Sequence, residues 1–229
     1  MMQEDDTKPD FSSILASTIH DMKNSLGVVL NSLDELIIEL GDSETSGKVN
    51  KLQYEASRVN NNLIQLLSLY KMENTGLKAN INEYSVEDFL EECVLLDKPM
   101  LDAREVKISI QTPPDLWWYF DRDLMSGVVG NAINNALRYT KDCIEISADE
   151  DQGYLVIRIN DNGEGFPQHM ISGSNNESHG VDFSSGRTGL GLYFTSQVAQ
   201  LHKNKEKNGR VEMSNGQRLG GACFSIYLP

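Results

Sequence analysis

Two interleaved apolar registers run through the first forty residues, and no other feature of the sequence limits the fold as sharply. Ile19, Leu26, Leu33 and Leu40 alternate with Leu15, Met22, Val29 and Leu36, three and then four residues apart, as a long helix with a buried seam requires. The spacing predicts one helix that begins near Asp10 or Ser12, after Pro9, and runs to Leu40, with Gly41 as its C-terminal stop. Asp42–Gly47 reads as a short turn. A second seam follows at Val49, Leu52, Ala56, Val59, Leu63, Leu66 and Tyr70, so the two helices form an antiparallel hairpin. Helices of roughly 30 residues are about 45 Å long, and one hairpin cannot bury both stripes of each. Two hairpins related by a twofold axis can do so, as a dimeric four-helix bundle.

Asn74-Thr75-Gly76 breaks the period and sets a boundary, giving residues 1–75 to the hairpin and 76–229 to a second domain. There the expected order is a short strand near Leu77–Glu83, a helix over Val86–Arg104, and strands at Val106–Gln111 and Leu116–Phe120. A helix follows from Asp121 to about Tyr139, then strands at Ile144–Ala148 and Tyr154–Asn160, a helix over Leu190–His202, and a terminal hairpin of Arg210–Ser214 with Ala222–Leu228. This mixture predicts an α/β sandwich with helices packed on one sheet face, and an α+β chain as a whole.

Composition narrows the function. A net charge of −14 over 229 residues disfavours nucleic acid and anionic lipid as partners, since both need clustered Lys and Arg. Cys93, Cys143 and Cys223 are odd in number and widely spaced, which indicates neither a disulfide framework nor a zinc site. No apolar run reaches the roughly 18 residues that cross a bilayer, and the first residues are acidic where a secretory signal is basic. The expectation is a cytoplasmic protein.

Several residues carry chemistry. His20 follows the seam residue Ile19 and therefore sits on the outer flank, where its imidazole is a reachable nucleophile and Asp21 can accept a proton. Asn24 lies one turn further on the same face. In the second domain, Asn131, Asn135 and Arg138 share one helix face, opposite Val129, Ile133, Ala136 and Leu137. Amide oxygens suit Mg²⁺, which takes its remaining ligands from phosphates and water, and Arg138 offsets phosphate charge. Tyr139 can stack on a base. Asp161 ends a strand and is followed by Gly163 and Gly165, a pattern that lets the backbone approach a ligand while the carboxylate accepts from an exocyclic amine such as that of adenine. Gly186-Arg187-Thr188-Gly189-Leu190-Gly191-Leu192 is a glycine-rich turn opening a helix, suited to phosphate. It matches neither the P-loop nor the dinucleotide fingerprint.

Taken in order, His20-Asp21-x-x-Asn24, Asn131-x-x-x-Asn135-Ala136-x-Arg138-Tyr139-Thr140, Asp161-x-Gly163-x-Gly165 and Thr188-Gly189-Leu190-Gly191-Leu192 resemble the H, N, G1 and G2 boxes of bacterial sensor histidine kinases. The resemblance spans nearly the whole chain and implies a dimerisation and phosphotransfer bundle followed by an ATPase domain of the gyrase type. By the same resemblance, Asn131 and Asn135 hold Mg²⁺ and phosphates, Arg138 and Tyr139 contact the nucleotide, and Asp161 reads adenine. Gly163, Gly165, Arg187, Thr188, Gly189, Leu190 and Gly191 frame the ATP pocket and its lid. Departures from the family pattern are Ser25, where many relatives have proline, and an F box reduced to Phe183. The loop from Pro167 to Ser185 also has no Lys or Arg, which leaves His179 and Arg187 nearest the γ-phosphate.

The function this implies is a cytoplasmic homodimeric kinase that autophosphorylates His20 from Mg-ATP and passes the phosphoryl group to the aspartate of a response regulator receiver domain. Phosphatase activity toward that partner would run through Asn24. The alternative is a nucleotide-binding scaffold that docks a receiver domain without turnover. With at most nineteen residues before His20, a separate sensor protein acting in trans is the expected source of the signal.

Overall fold

The computed structural model describes residues 11–41, 44–74, 76, 78–172 and 189–229, and they fall into two compact units, Met1–Leu77 and Lys78–Pro229. The first unit is a helical hairpin of α1 (Phe11–Leu40) and α2 (Glu44–Asn74). Gly41 ends α1 at φ +53°, its N–H donating to Ile37 O at 3.2 Å, a left-handed stop that glycine adopts without Cβ strain. The turn is shorter than the sequence predicts, because Glu44–Gly47 is already helical. A glycine inside a helix costs only about 1 kcal/mol, less than the hydrogen bonds gained by starting α2 a turn earlier.

Each helix buries one register and exposes the other. Ile19 is buried and Leu26, Leu33 and Leu40 are half-buried, against Val49, Ala56, Leu63 and Tyr70 at the same heptad position of α2. The alternate positions, Met22, Val29 and Leu36 on α1 with Leu52, Val59 and Leu66 on α2, are all exposed. Gln53 Nε2 donates to the Asp34 carboxylate across the hairpin.

The second unit begins with β1 (Asn82–Ser85), antiparallel to β3 (Trp117–Phe120) in a two-stranded sheet. The sequence reading placed this strand at Leu77–Glu83. Its true position is set by a partner distant in sequence, since the ladder runs from Asn82↔Phe120 to Ser85↔Trp117 and β3 is only four residues long. Ser85 then caps α3 (Val86–Ala103), accepting from Asp88 N at 3.3 Å. After β2 (Lys107–Gln111) and β3 comes α4 (Arg122–Tyr139), capped by Asp121, which accepts from Leu124 N at 3.0 Å and Asn80 N at 2.7 Å.

The main sheet has the order β2-β4-β5-β9-β8, with β4 (Cys143–Asp151), β5 (Tyr154–Asp161), β8 (Arg210–Asn215) and β9 (Ala222–Leu228); β2 is parallel to β4 and the other pairs are antiparallel. Register places Ile144, Ile146, Ala148, Leu155, Ile157, Ile159, Ile226 and Leu228 on one buried face. The helices α3, α4 and α6 (Leu190–Leu201) pack over it. The other face is polar, with Glu145, Asn160, Cys223 and Ser214 in one row and Ser147, Arg158, Ser225 and Glu212 in the next.

Two elements escaped the sequence reading. They are the short α5 (Gln168–Ser172) and a small hairpin of β6 (Lys203–Asn204) and β7 (Lys207–Asn208). His202, which the pattern assigns to the end of α6, is the residue that caps it. It is 2% exposed, its Nδ1 donates to Val198 O at 2.8 Å and its Nε2 accepts from Asp121 N at 3.0 Å. Burial lowers its pKa, so the neutral ring ties the end of α6 to the start of α4.

Candidate phosphoacceptor and nucleotide site

On α1, Ile19 turns into the hairpin at 3% exposure, which directs His20 outward with 60% of its side chain accessible. Asn24 Nδ2 lies 3.3 Å from His20 Nδ1, and Asp21 Oδ1 stands 3.7 Å from the same nitrogen. Both side chains singled out beside His20 therefore converge on one ring nitrogen and leave Nε2, across the ring, clear of them.

The second constellation is assembled by α4, the end of β5 and the start of α6. Val128, Val129, Ala132, Ile133, Ala136 and Leu137 anchor α4 in the core, so Asn131 is left half-buried while Asn135, Arg138 and Tyr139 are exposed. Asn131 Nδ2 reaches Thr195 Oγ1 at 3.5 Å, and Thr195 Oγ1 donates to Gly191 O at 2.8 Å, linking α4 to the first turn of α6. Asn134 points the other way and donates to Asp97 at 3.3 Å and to Gly130 O at 2.9 Å. Burial raises the Asp97 carboxyl to about 6, against the lowering effect of the Asn134 bond.

Asp161 is 5% exposed at the end of β5. Its Oδ1 accepts from Gly163 N at 2.8 Å and Ala222 N at 3.2 Å, and its carbonyl accepts from Gly221 N at 3.1 Å. Among the described residues no donor reaches Oδ2. The glycines around it act differently from the sequence reading, in which they admit a ligand. A Cβ on Gly163 would sit 2.1 Å from Tyr139 O, and one on Gly191 would sit 2.5 Å from Asn131 Oδ1. Gly165, at φ +85°, would place its Cβ 2.8 Å from the Asn215 side chain. The space each glycine leaves is filled by the protein itself, so they draw the loops onto α4 and β8.

Two further positioning residues went unnoticed in the sequence. Asn162 Oδ1 accepts from Thr140 Oγ1 at 2.8 Å and from Lys141, Asp142 and Cys143 N at 3.0, 3.2 and 3.3 Å, closing the turn between α4 and β4 onto the end of β5. Asn215 clamps Phe166, accepting from its N–H at 2.7 Å and donating to its carbonyl at 2.8 Å. Asn162 lies inside the Asp-x-Gly-x-Gly pattern, which was a usable signal; nothing local marks Asn215. Gly189 is the N-cap of α6 and makes no side-chain cap bond, and Leu190 and Gly191 follow in its first turn. Arg187, Thr188, His179 and Phe183 lie outside the described residues.

Comparison with known proteins agrees with this geometry. Residues 120–229 match the family described as histidine kinase-, DNA gyrase B-, and HSP90-like ATPase. Over 98% of its length the chain is 25% identical to the sensor protein SrrB of Staphylococcus aureus strain N315. Residues 120–229 thus form an ATPase domain of the histidine-kinase type, and the chain as a whole is similar to two-component sensor histidine kinases. It spans 38% of SrrB. The fold is that of the Acinetobacter baumannii histidine kinase AdeS, with a TM-score of 0.60 at 20% identity over 91% of this chain and 96% of AdeS. It is also that of full-length ShkA in complex with AMPPNP, at 0.67 and 17% identity over 95% of this chain and 46% of ShkA. No described helix is long and apolar enough to cross a membrane. The cysteines are free, with Cys93 and Cys223 buried and Cys143 half-buried; burial raises the Cys93 thiol to about 12.

Proposed function

We propose that the chain is an ATP-dependent protein histidine kinase that phosphorylates His20 and passes the phosphoryl group to an aspartate of a response regulator. The observation that carries the reading is the display of His20. An exposed imidazole with Asp21 and Asn24 gathered at Nδ1 is equipped to react at Nε2. For the attack the proton sits on Nδ1, where the Asp21 carboxylate accepts it and the Asn24 amide rotates to present its oxygen in place of Nδ2, and the Nε2 lone pair attacks the γ-phosphorus of ATP. The bond from that phosphorus to the bridging oxygen breaks, ADP leaves, and Asp21 takes the Nδ1 proton. Asn24, exposed beside the same ring, is placed to orient a water for the reverse task of dephosphorylating the partner.

The nucleotide site fits the donor. Asp161 Oδ2 has the acceptor chemistry for the adenine amine, held in place by the two N–H groups on Oδ1. The N-terminal turn of α6 at Gly189, Leu190 and Gly191, which has no side-chain cap bond among the described residues, suits phosphate, and Arg187 and Thr188 precede it directly in the sequence. Arg138 and Tyr139 would flank the nucleotide, and Asn131 and Asn135 offer the amide oxygens that suit Mg²⁺. The bound ion would neutralise charge developing on the phosphates.

The homodimer rests on the exposed register. Met22, Val29 and Leu36 with Leu52, Val59 and Leu66 form a heptad stripe that a second hairpin would bury. Incubation with γ-labelled ATP tests the function. The expected outcome is acid-labile, base-stable label on the protein, lost in His20→Ala while nucleotide binding survives. Nucleotide binding without label on the wild type would instead establish a scaffold.

A further inference from the structure

The face of the second unit formed by β3 and the β6–β7 hairpin takes no part in the phosphotransfer reading and has the make-up of a docking groove. A cavity of about 950 Å³ is lined by Trp117, Trp118, Tyr119, Ile81 and the hairpin Lys203–Lys207. Three consecutive residues of β3 face it. Successive side chains of a strand point to opposite faces, so the cavity runs along the strand's edge and not over one face of the sheet. Among the described residues β3 pairs with β1 alone, which leaves that edge open. Trp117 is 55% exposed and Tyr119 58%, with Ile81 also exposed beside them, a concentration of large side chains that marks a contact surface. Tyr119 hydrogen-bonds Glu83 on β1.

The opposite wall is basic in a chain of net charge −14. Lys207 pins the hairpin down, donating to Gln152 O at 2.6 Å and Gly153 O at 3.3 Å with its ammonium 4.8 Å from the Tyr154 ring centre. Lys203 and Lys205, the latter at φ +54° at the tip, are exposed and enter no ion pair among the described residues. Glu206 is the single acidic side chain lining the cavity, against the three lysines Lys203, Lys205 and Lys207.

We infer that this groove binds an extended acidic segment of a partner protein, one that adds a strand to the free edge of β3 and carries an apolar anchor for Trp117. Backbone pairing to an open edge gives such a segment affinity, and alternate side chains give it specificity. Lys203 and Lys205 select the charge and steer the approach. An anionic bilayer shares the charge preference but is flat where this surface is concave, and it is repelled by the net charge of the whole chain.

A fluorescein-labelled peptide alternating glutamate with leucine is the probe, titrated into the intact chain and read by anisotropy. Saturable binding is expected that weakens steeply with salt. Trp117→Ala should weaken it about tenfold or more, and the pair Lys203→Glu and Lys205→Glu should do the same while flattening the salt dependence. The peptide with lysine for glutamate, and the peptide N-methylated at alternate backbone amides, should not bind. Binding of a fluorescent ATP analogue should be unchanged in all these variants, which confirms that they fold. Absence of saturable binding by the acidic peptide, or binding indifferent to Trp117→Ala, overturns the inference. Co-sedimentation with phosphatidylserine vesicles that is lost in the lysine variants overturns it in favour of a lipid surface.

Discussion

Substituting Asp161 by asparagine separates what this side chain does for the fold from what it does for a nucleotide. In the wild type Oδ1 accepts two backbone N–H bonds, from Gly163 and Ala222, while Oδ2 faces no donor among the described residues. Asparagine keeps an oxygen at the first position and puts an NH₂ at the second. The two retained bonds lose their charge assistance, roughly half their strength, or about 1–2 kcal/mol together. For a domain of this size that lowers Tm by about 2–8 °C. At the second position an acceptor becomes a donor, so an adenine amine would meet an amide N–H. Losing one buried hydrogen bond and leaving two donors opposed costs about 2–3 kcal/mol, or about 30- to 150-fold in affinity. Inosine triphosphate, whose six-position is a carbonyl, should lose far less and should gain relative to ATP. The assay is displacement of a fluorescent nucleotide alongside thermal unfolding of the same preparations. Equal ATP affinity in wild type and Asp161→Asn, with the melting shift present, would refute the adenine assignment and leave Asp161 as a purely structural acceptor.

His202 should make stability depend on pH. Its folded pKa is lowered, so its contribution is complete above the ordinary histidine range near 6.5 and is lost as pH falls below it; His202→Gln should flatten that part of the Tm profile measured from pH 7.5 to 5. Asp97 runs the opposite way: with its carboxyl at about 6 against an unfolded value of 3.8, its ionised form is unfavourable in the native state at neutral pH. Asp97→Asn is expected to stabilise by about 1–3 kcal/mol at pH 7.5, with the gain fading below pH 6, as chemical denaturation at the two pH values would reveal. Charging the exposed heptad stripe, as in Val29→Glu with Val59→Glu, should convert a dimer to a monomer in analytical ultracentrifugation while helix content by circular dichroism is retained; an unchanged sedimentation coefficient would place the interface elsewhere.

What the sequence determined by itself is what repeats or is local. The heptad period placed both helices of the hairpin and, through two registers where a hairpin has room for one, announced an apolar stripe left over; the structure buries the Ile19 register and exposes the Met22 register. The sheet strands and α4 were legible to within a few residues because apolar alternation and the Asp121 cap are encoded in neighbouring residues. Tertiary structure decided everything that needed a partner remote in the chain. β1 starts where β3 can pair with it, across 32 positions at Ser85↔Trp117 and 38 at Asn82↔Phe120, and no local signal carries that register.

The same holds at the nucleotide site. Asp161 and its glycines stand out in the sequence, but that Gly163 packs on Tyr139 O, that Gly191 packs on Asn131, and that Asn215 holds Phe166 from the far end of β8 follow from chain crossings that leave no room for a Cβ at either glycine. His202 shows the limit most plainly. From its neighbours it is one more polar residue at a helix end, and only the arrival of Asp121 N–H at Nε2, 81 positions away, makes it a buried neutral latch. Local periodicity is set by the few residues within one turn or one pleat, whereas hydrogen-bond partners across a core are chosen by the packing of whole elements.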